Sequence, residues 1–199
     1  DGIRDIGVTG VQTCALPILQ ALGTNDIVAL TAAQLSGLSS TQIPMLTTTQ
    51  VAALETADLA SLSTRQVAAF TTDQIQALDT RAVVSLTTAQ VAGLSTSQLA
   101  ALLTNQMAAL ETVDLTAIGS RQVSALTTAQ IDALTTGQIA SLLSTQVASL
   151  TTAQLAVLQA DDIRAFTSTQ IGAISTSLVS ALSTAQIAAI QTEIGRAHV

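Results

Sequence analysis

The sequence predicts an all-α protein: a solenoid of very short helices, one in each of a run of eight-residue repeats. Three observations carry that expectation. An octet, seen cleanly as Thr127-Thr128-Ala129-Gln130-Ile131-Asp132-Ala133-Leu134, recurs head to tail from Gly23 to Thr192 without an insertion or deletion. Such a fixed short period marks an array rather than a globule. The octet also carries a helix-start signature, in which a hydroxyl residue is followed three places later by Gln and flanked by apolar residues. Its two regular apolar positions, five and eight, share a face of a helical turn at i, i+3.

The chain opens with Asp1-Gly2-Ile3-Arg4-Asp5-Ile6-Gly7-Val8-Thr9-Gly10-Val11-Gln12-Thr13-Cys14-Ala15-Leu16-Pro17-Ile18, which does not follow the octet. Leu19-Gln20-Ala21-Leu22 is the second half of a normal octet. Gln191-Thr192 starts another, from which Glu193-Ile194 departs. Both breaks fall inside an octet. The organisation read from this is residues 1–18, a repeat body at 19–192, and residues 193–199. A secretory leader fits the first segment poorly, because Asp1 and Asp5 stand where a basic start belongs and no apolar stretch follows.

With Thr47 as position one, position two is Thr or Ser in nearly every octet, with Ala32 and Ala160 as exceptions. Position four is Gln, or Asp at Asp26, Asp58, Asp114 and Asp162, and only Ala82 and Leu178 break the rule. Position five is Ile, Val, Leu or Met, position seven is small in most octets, and position eight is Leu with Ile or Phe substituting. Within Leu46-Thr47-Thr48-Thr49-Gln50-Val51, Thr47 is placed to be the N-cap, with Gln50 closing a capping box. Leu46 and Val51 form the apolar staple. Thr48 is the alternative cap, since position two is the more regular hydroxyl. Glu55, Leu103 and Leu143 at position one favour that choice in their octets.

Two other backbones compete. One continuous α-helix is rejected, because each octet would rotate the apolar stripe by roughly 80° and leave it facing no partner. Paired Thr residues are also poor helix interior. A β-solenoid stays as the alternative, because an even period keeps pleated register and a Gln column suits a side-chain ladder. Against it, positions five and eight would point to opposite faces, and Ala is a weak strand former. Pro44, at position six, removes a helical or a ladder hydrogen bond and does not choose between the two. Burying two apolar side chains does not offset the entropy of ordering eight residues. Each octet must therefore rest on its neighbours, taken to be the octets before and after it.

Composition narrows the function. Hydrophobic residues make up 48 % and aromatics 1 %, so the core is aliphatic. The net charge is -7 and the chain has no Lys, which lacks the cationic footprint of a nucleic-acid binder. Thr, Ser and Gln interrupt every apolar run before it reaches the length of a membrane span. Cys14 and His198 are the single cysteine and histidine, both outside the repeats, so the repeat body has no thiol, imidazole or disulfide. No Ser has a His partner and no Gly-rich phosphate loop occurs. The chain is read as not an enzyme, with no catalytic, cofactor-binding or metal-binding residues and no cofactor.

The acids are sparse but patterned. Glu55 and Asp58 precede Arg65, Glu111 and Asp114 precede Arg121, and Asp161-Asp162 sits beside Arg164. Surface ion pairs between adjacent octets are expected. A Ca²⁺ site is the alternative, but it needs several oxygens converging on one ion. The Gln/Asp column is expected to satisfy backbone groups at each turn, with periodic ligand binding as the other reading. A flat Thr array for ice or glycan requires the β-solenoid.

The unit Leu-Thr-x-x-Gln-Val-x-Ala-Leu resembles the first helix of the transcription-activator-like effector repeat. The base-reading loop, the second helix and the longer period are missing here, so DNA reading does not carry over. Residues 19–192 more closely resemble the tandem Leu-Thr-x-x-Gln-Ile-x-x-Leu arrays of very large bacterial surface or secreted proteins. Residues 1–18 and 193–199 resemble the translation of short-read sequencing-adapter DNA, which implies that the body is a fragment of a longer chain. The function expected is a structural spacer or interaction rod whose partners are the neighbouring repeats of its parent chain, at the cell surface or secreted. A β-solenoid adhesin or ice- and glycan-binding surface, and a peptide-binding solenoid groove, are the alternatives.

Overall fold

The computed structural model describes residues 19–197, with side chains from 19 to 191. The chain divides into two compact parts, Asp1–Leu86 and Thr87–Val199. In the first, one short helix falls in each octet: Thr24–Val28, Ala32–Ser36, Thr48–Ala52, Thr56–Ser61, Thr64–Val67, Thr72–Ala77 and Thr80–Val84. Octet 39–46 has a 3-10 turn instead, Ile43–Met45. The second part repeats the design from Thr88–Ala92 through Thr176–Val179 and ends in a longer helix, Thr184–Ala197. No strand occurs among the described residues. The all-α expectation holds, and the β-solenoid alternative, with the ice or glycan surface that required it, is overturned.

Position one is the N-cap of the short α-helices, while the 3-10 turn Ile43–Met45 starts from Gln42. Thr47 is extended (φ -72°, ψ 157°), and its hydroxyl accepts from the Gln50 N–H at 3.2 Å while Gln50 Oε1 accepts from the Thr47 N–H at 2.8 Å. The alternative cap at position two fails even where position one has no suitable hydroxyl. Leu103 is extended (φ -70°, ψ 157°) and Thr104 is already helical. The reason lies at the other end of the box: Gln106 Oε1 takes the Leu103 N–H at 2.6 Å and fixes the start without a capping side chain. Glu55 and Leu143 occupy the same place.

Pro44 explains the 3-10 octet. Elsewhere the position-six N–H donates to the position-two carbonyl, as Ala68 to Thr64 at 2.8 Å. Proline has no such donor, and that octet tightens into a 3-10 turn.

Positions five and eight are both buried in most octets, as in Val51 and Leu54 or Ile139 and Leu142, and so line one core, while Val179 and Ile187 at position five are exposed. Their neighbours are not the flanking octets, as the sequence suggested. In the first part Thr24–Val28 packs on Thr48–Ala52, which packs on Thr72–Ala77. In the second, Thr88–Ala92 packs on Thr112–Ala117, and Thr128–Asp132 on Thr152–Val157. Each step is three octets. A four- to six-residue helix is too short to fold back on the next one through so brief a connection. The chain must travel round before its apolar faces meet.

Candidate functional site

The most regular polar feature inside each part is the column of position-four glutamines. Gln50, Gln66, Gln74, Gln130, Gln138, Gln146, Gln154, Gln170 and Gln186 are all buried. Burial of a carboxamide is tolerated only when its hydrogen bonds are made. Here they are made in two directions. Oε1 accepts the N-cap N–H of its own octet, as Gln146 does from Leu143 at 2.7 Å. Nε2 donates to carbonyls near the end of the helix four octets earlier.

In the first part, Gln50 reaches the Leu19 and Leu22 carbonyls at 2.7 and 2.8 Å. Gln66 reaches Leu35, Ser36 and Leu38 at 3.0, 3.1 and 2.8 Å. Gln74 reaches Ile43 and Leu46 at 3.0 and 2.6 Å. In the second part, Gln130 reaches Leu99 and Leu102, Gln146 reaches Leu115 and Ile118, Gln154 reaches Val123 and Leu126, and Gln186 reaches Leu155 and Leu158. The spacing is 31 and 28 residues each time. With helices packing three octets apart and glutamines reaching four back, one turn of the winding within each part takes three to four octets.

This ladder solves a problem that helix ends usually meet otherwise. The last carbonyls of a helix lack intrahelical partners, and a left-handed glycine commonly closes them. No positive φ occurs among the described residues. The position-five carbonyl instead takes the position-eight N–H, as Leu115 from Ile118 at 3.3 Å, together with Gln146 Nε2 at 2.7 Å. The position-eight carbonyl takes the glutamine alone. The expectation that the column satisfies backbone groups is met. Its reach of four octets was not foreseen.

The charged residues behave differently from the sequence expectation. Among the described residues the ion pairs are Arg81 with Asp79, at 3.7 Å, and Arg164 with Asp161, each within one octet. Arg65 and Arg121 make no ion pair with the acids of the preceding octet, so the expected inter-octet pairing is corrected. The physical reason is that Asp58 and Asp114 are buried on the inner face, whereas Arg65 and Arg121 are exposed. Asp162 is buried too, and its carboxylate accepts the Thr136 hydroxyl at 2.8 Å and the Gln159 N–H at 3.1 Å. No three His, Cys, Asp or Glu residues come together among the described residues. Cys14 and His198 lie outside the described residues. No helix among them is long and apolar enough to cross a membrane.

The position-two hydroxyls face outward without a regular partner. Thr136 reaches Asp162, and Ser120 donates to the Thr145 carbonyl at 3.1 Å. Open cavities lie between octets: one of about 410 Å³ lined by Thr128, Ala129, Asp132, Ala156, Val157 and Gln159, and one of about 350 Å³ around Ala82.

The sequence model of the ALTTAQ repeat matches residues 19–56, 51–88, 83–112, 107–145 and 155–192. The first three matches start at 19, 51 and 83, that is 32 residues or four octets apart, the distance over which the glutamines reach. No curated protein matches the chain.

Proposed function

The chain belongs to the ALTTAQ repeat family, and on that premise we propose that it is a non-catalytic spacer or interaction rod, a piece of a larger bacterial repeat protein. One observation carries this reading: the recurrent positions four, five and eight, with the backbone N-cap at position one, are spent on cohesion. Position one caps, position four ties a helix start to a helix end four octets away, and positions five and eight form the core. An array built this way gains stability as a sum of repeat and interface terms. It extends by adding octets without redesign, which is what a spacer requires. The likeness of the octets to arrays in very large bacterial surface and secreted proteins supports a place at the cell surface or outside the cell.

The test is a length series. Proteins carrying one-half, one and two copies of the repeat body are compared by small-angle X-ray scattering and urea unfolding. A spacer gives a maximum dimension that grows in proportion to octet number and a stability that rises with it. A maximum dimension that stays constant as octets are added overturns the reading. A saturable peptide ligand, found by screening the same series, would move it to the groove alternative.

A further inference from the structure

Four octets carry Asp in place of the position-four glutamine: Asp26, Asp58, Asp114 and Asp162. Two of them find donors. Asp26 accepts the Gly23 N–H at 2.8 Å. Asp162 accepts the Gln159 N–H at 3.1 Å and the Thr136 hydroxyl at 2.8 Å. Asp58 and Asp114 are only 7 % and 3 % exposed, yet among the described residues no donor reaches either carboxylate. A carboxylate this buried is costly unless something positive or protic meets it. At Asp58 even the hydroxyl that serves Asp162 is missing, because Ala32 stands where Thr136 stands for Asp162. The sequence marks the same two octets in another way. Glu occurs at position one only as Glu55 and Glu111, the N-caps of the helices that hold Asp58 and Asp114. Neither glutamate makes a side-chain cap bond.

Around Asp58 the remaining oxygens come from the backbone. By the register in which Gln50 reaches Leu19 and Leu22, position four of octet 55–62 faces the Ile27 and Leu30 carbonyls. The Leu30 carbonyl accepts nothing among the described residues, and that of Ile27 takes the Leu30 N–H at 3.1 Å. Aspartate is one methylene shorter than glutamine, so its oxygens stop roughly 1.5 Å short of where Nε2 would sit. Acceptors then face one another across the opening with no donor between them. The next octet shows that position one shares this space. There Ser63 and Gln66 line a cavity of about 430 Å³ together with Leu38, four octets before. At Asp58 the matching places hold Glu55, Asp58 and Leu30. Arg81, which lines a second cavity with Glu55, is paired with Asp79 at 3.7 Å. Two carboxylates and two carbonyls make an all-oxygen ligand set that suits a hard cation.

We propose that octet 55–62 binds a Ca²⁺ ion, which ties Glu55 and Asp58 to the Ile27 and Leu30 carbonyls in place of the absent carboxamide. Water completes the roughly six to eight oxygens that Ca²⁺ takes. Mg²⁺ demands a stricter octahedron and sheds water reluctantly, so a set of two acids and two fixed carbonyls suits it less. The ion does for this rung what Nε2 does for the others, and does it only where an acid has replaced the amide. The proposal does not depend on the spacer reading.

The experiment is an amide NMR titration of the full chain with Ca²⁺, with Na⁺ at matched ionic strength as the screening control. Saturable shifts at Thr31, Glu55 and Asp58 are expected, with a Kd on the order of 1 mM, as for sites with few charged ligands. Asp58→Gln puts a carboxamide on the rung and abolishes these shifts. Glu55→Gln weakens binding about tenfold, because affinity follows the count of charged ligands. Asp73→Asn, at an exposed position three, leaves Kd unchanged. The amide spectrum itself shows whether each variant is folded. A carboxylate met by water or by a proton alone gives no saturable shifts with Ca²⁺. That result, shifts that Na⁺ reproduces, Mg²⁺ binding as tightly as Ca²⁺, or shifts at Thr31 and Glu55 that persist in Asp58→Gln each overturn the proposal.

Discussion

Replacing Gln146 with alanine removes one complete rung and tests whether the ladder or the apolar core sets stability. Gln146 is 0 % exposed. It accepts the Leu143 N–H at 2.7 Å and donates to the Leu115 and Ile118 carbonyls at 2.7 Å each. Leu143 has no capping oxygen of its own, so its N–H loses its side-chain acceptor. Ile118 loses its only donor among the described residues, while Leu115 keeps the Ile118 N–H. At about 1 kcal/mol for each bond, with a further penalty for the groups left buried and unpaired, the loss is about 3–5 kcal/mol. Gln34→Ala is the control. Gln34 is exposed and accepts the Thr31 N–H at 2.9 Å, which is worth about 0.5–1 kcal/mol. Gln146→Glu separates the two jobs of the side chain. It keeps the acceptor for Leu143, loses both donations and sets a carboxylate oxygen against two carbonyls, so its pKa in the folded chain rises above the unfolded value. The variant is then closest to the parent below the unfolded pKa, and loses ground as pH climbs through the folded one. Urea midpoints followed by circular dichroism at pH 4 and pH 7 measure all three. If Gln146→Ala costs no more than Gln34→Ala, or Gln146→Glu shows no pH dependence relative to the parent, the ladder argument is refuted.

Asp58→Gln adds a donor where the register points to the Ile27 and Leu30 carbonyls, and the urea midpoint should rise by about 1 kcal/mol of stability. A fall would mean that buried Asp58 serves its rung in another way. Pro44→Ala restores the N–H that elsewhere bonds position two. A gain of about 1–2 kcal/mol is expected, with slow hydrogen exchange at residue 44 as the local readout. Arg121→Ala should change stability by less than about 0.5 kcal/mol at low and high salt alike, because that side chain makes no ion pair among the described residues. One glycine inserted after Leu126 lies between donor and acceptor for the rungs of Gln130, Gln138, Gln146 and Gln154. It should cost about 4 kcal/mol or more in a urea titration, against a few tenths for lengthening an ordinary loop.

The local layer of this structure was legible in the octet. Capping boxes, staples and i, i+3 apolar pairs span eight residues, and Thr47, Gln50, Val51 and Leu54 do what their spacing implies. The N-cap at Leu103 was not legible, because a rule built on capping hydroxyls overlooks that Gln106 can fix the start alone. The neighbour relation was not legible either. Nothing inside an octet says whether its apolar face meets the next octet or the third one on. That depends on how far the short connections turn the chain, a property of backbone angles summed over three helices. The ion pairs were misread for the same reason, since Asp58 and Asp114 look like surface acids until the face they occupy is known.

One signal for the ladder was nevertheless present. A capping box accepts Glu as readily as Gln at its third position, because both offer the oxygen that takes the N-cap N–H. Glutamate would even be favoured there, next to the positive end of a helix. Yet no octet has Glu at position four; where the amide is replaced by an acid, the acid is the shorter Asp. Capping alone cannot produce that bias. It follows if the far side of the same group must donate, because a glutamate reaching as far as Gln74 would turn a second oxygen toward the Ile43 and Leu46 carbonyls, 3.0 and 2.6 Å from Nε2. An aspartate, one methylene shorter, holds back from the carbonyls, forfeiting the rung without creating repulsion, and Asp26 and Asp162 still take the N-cap N–H of their octets. The strict period has the same origin. A change of length anywhere displaces every rung that straddles it, so the array holds its octets in step through contacts that no single octet contains.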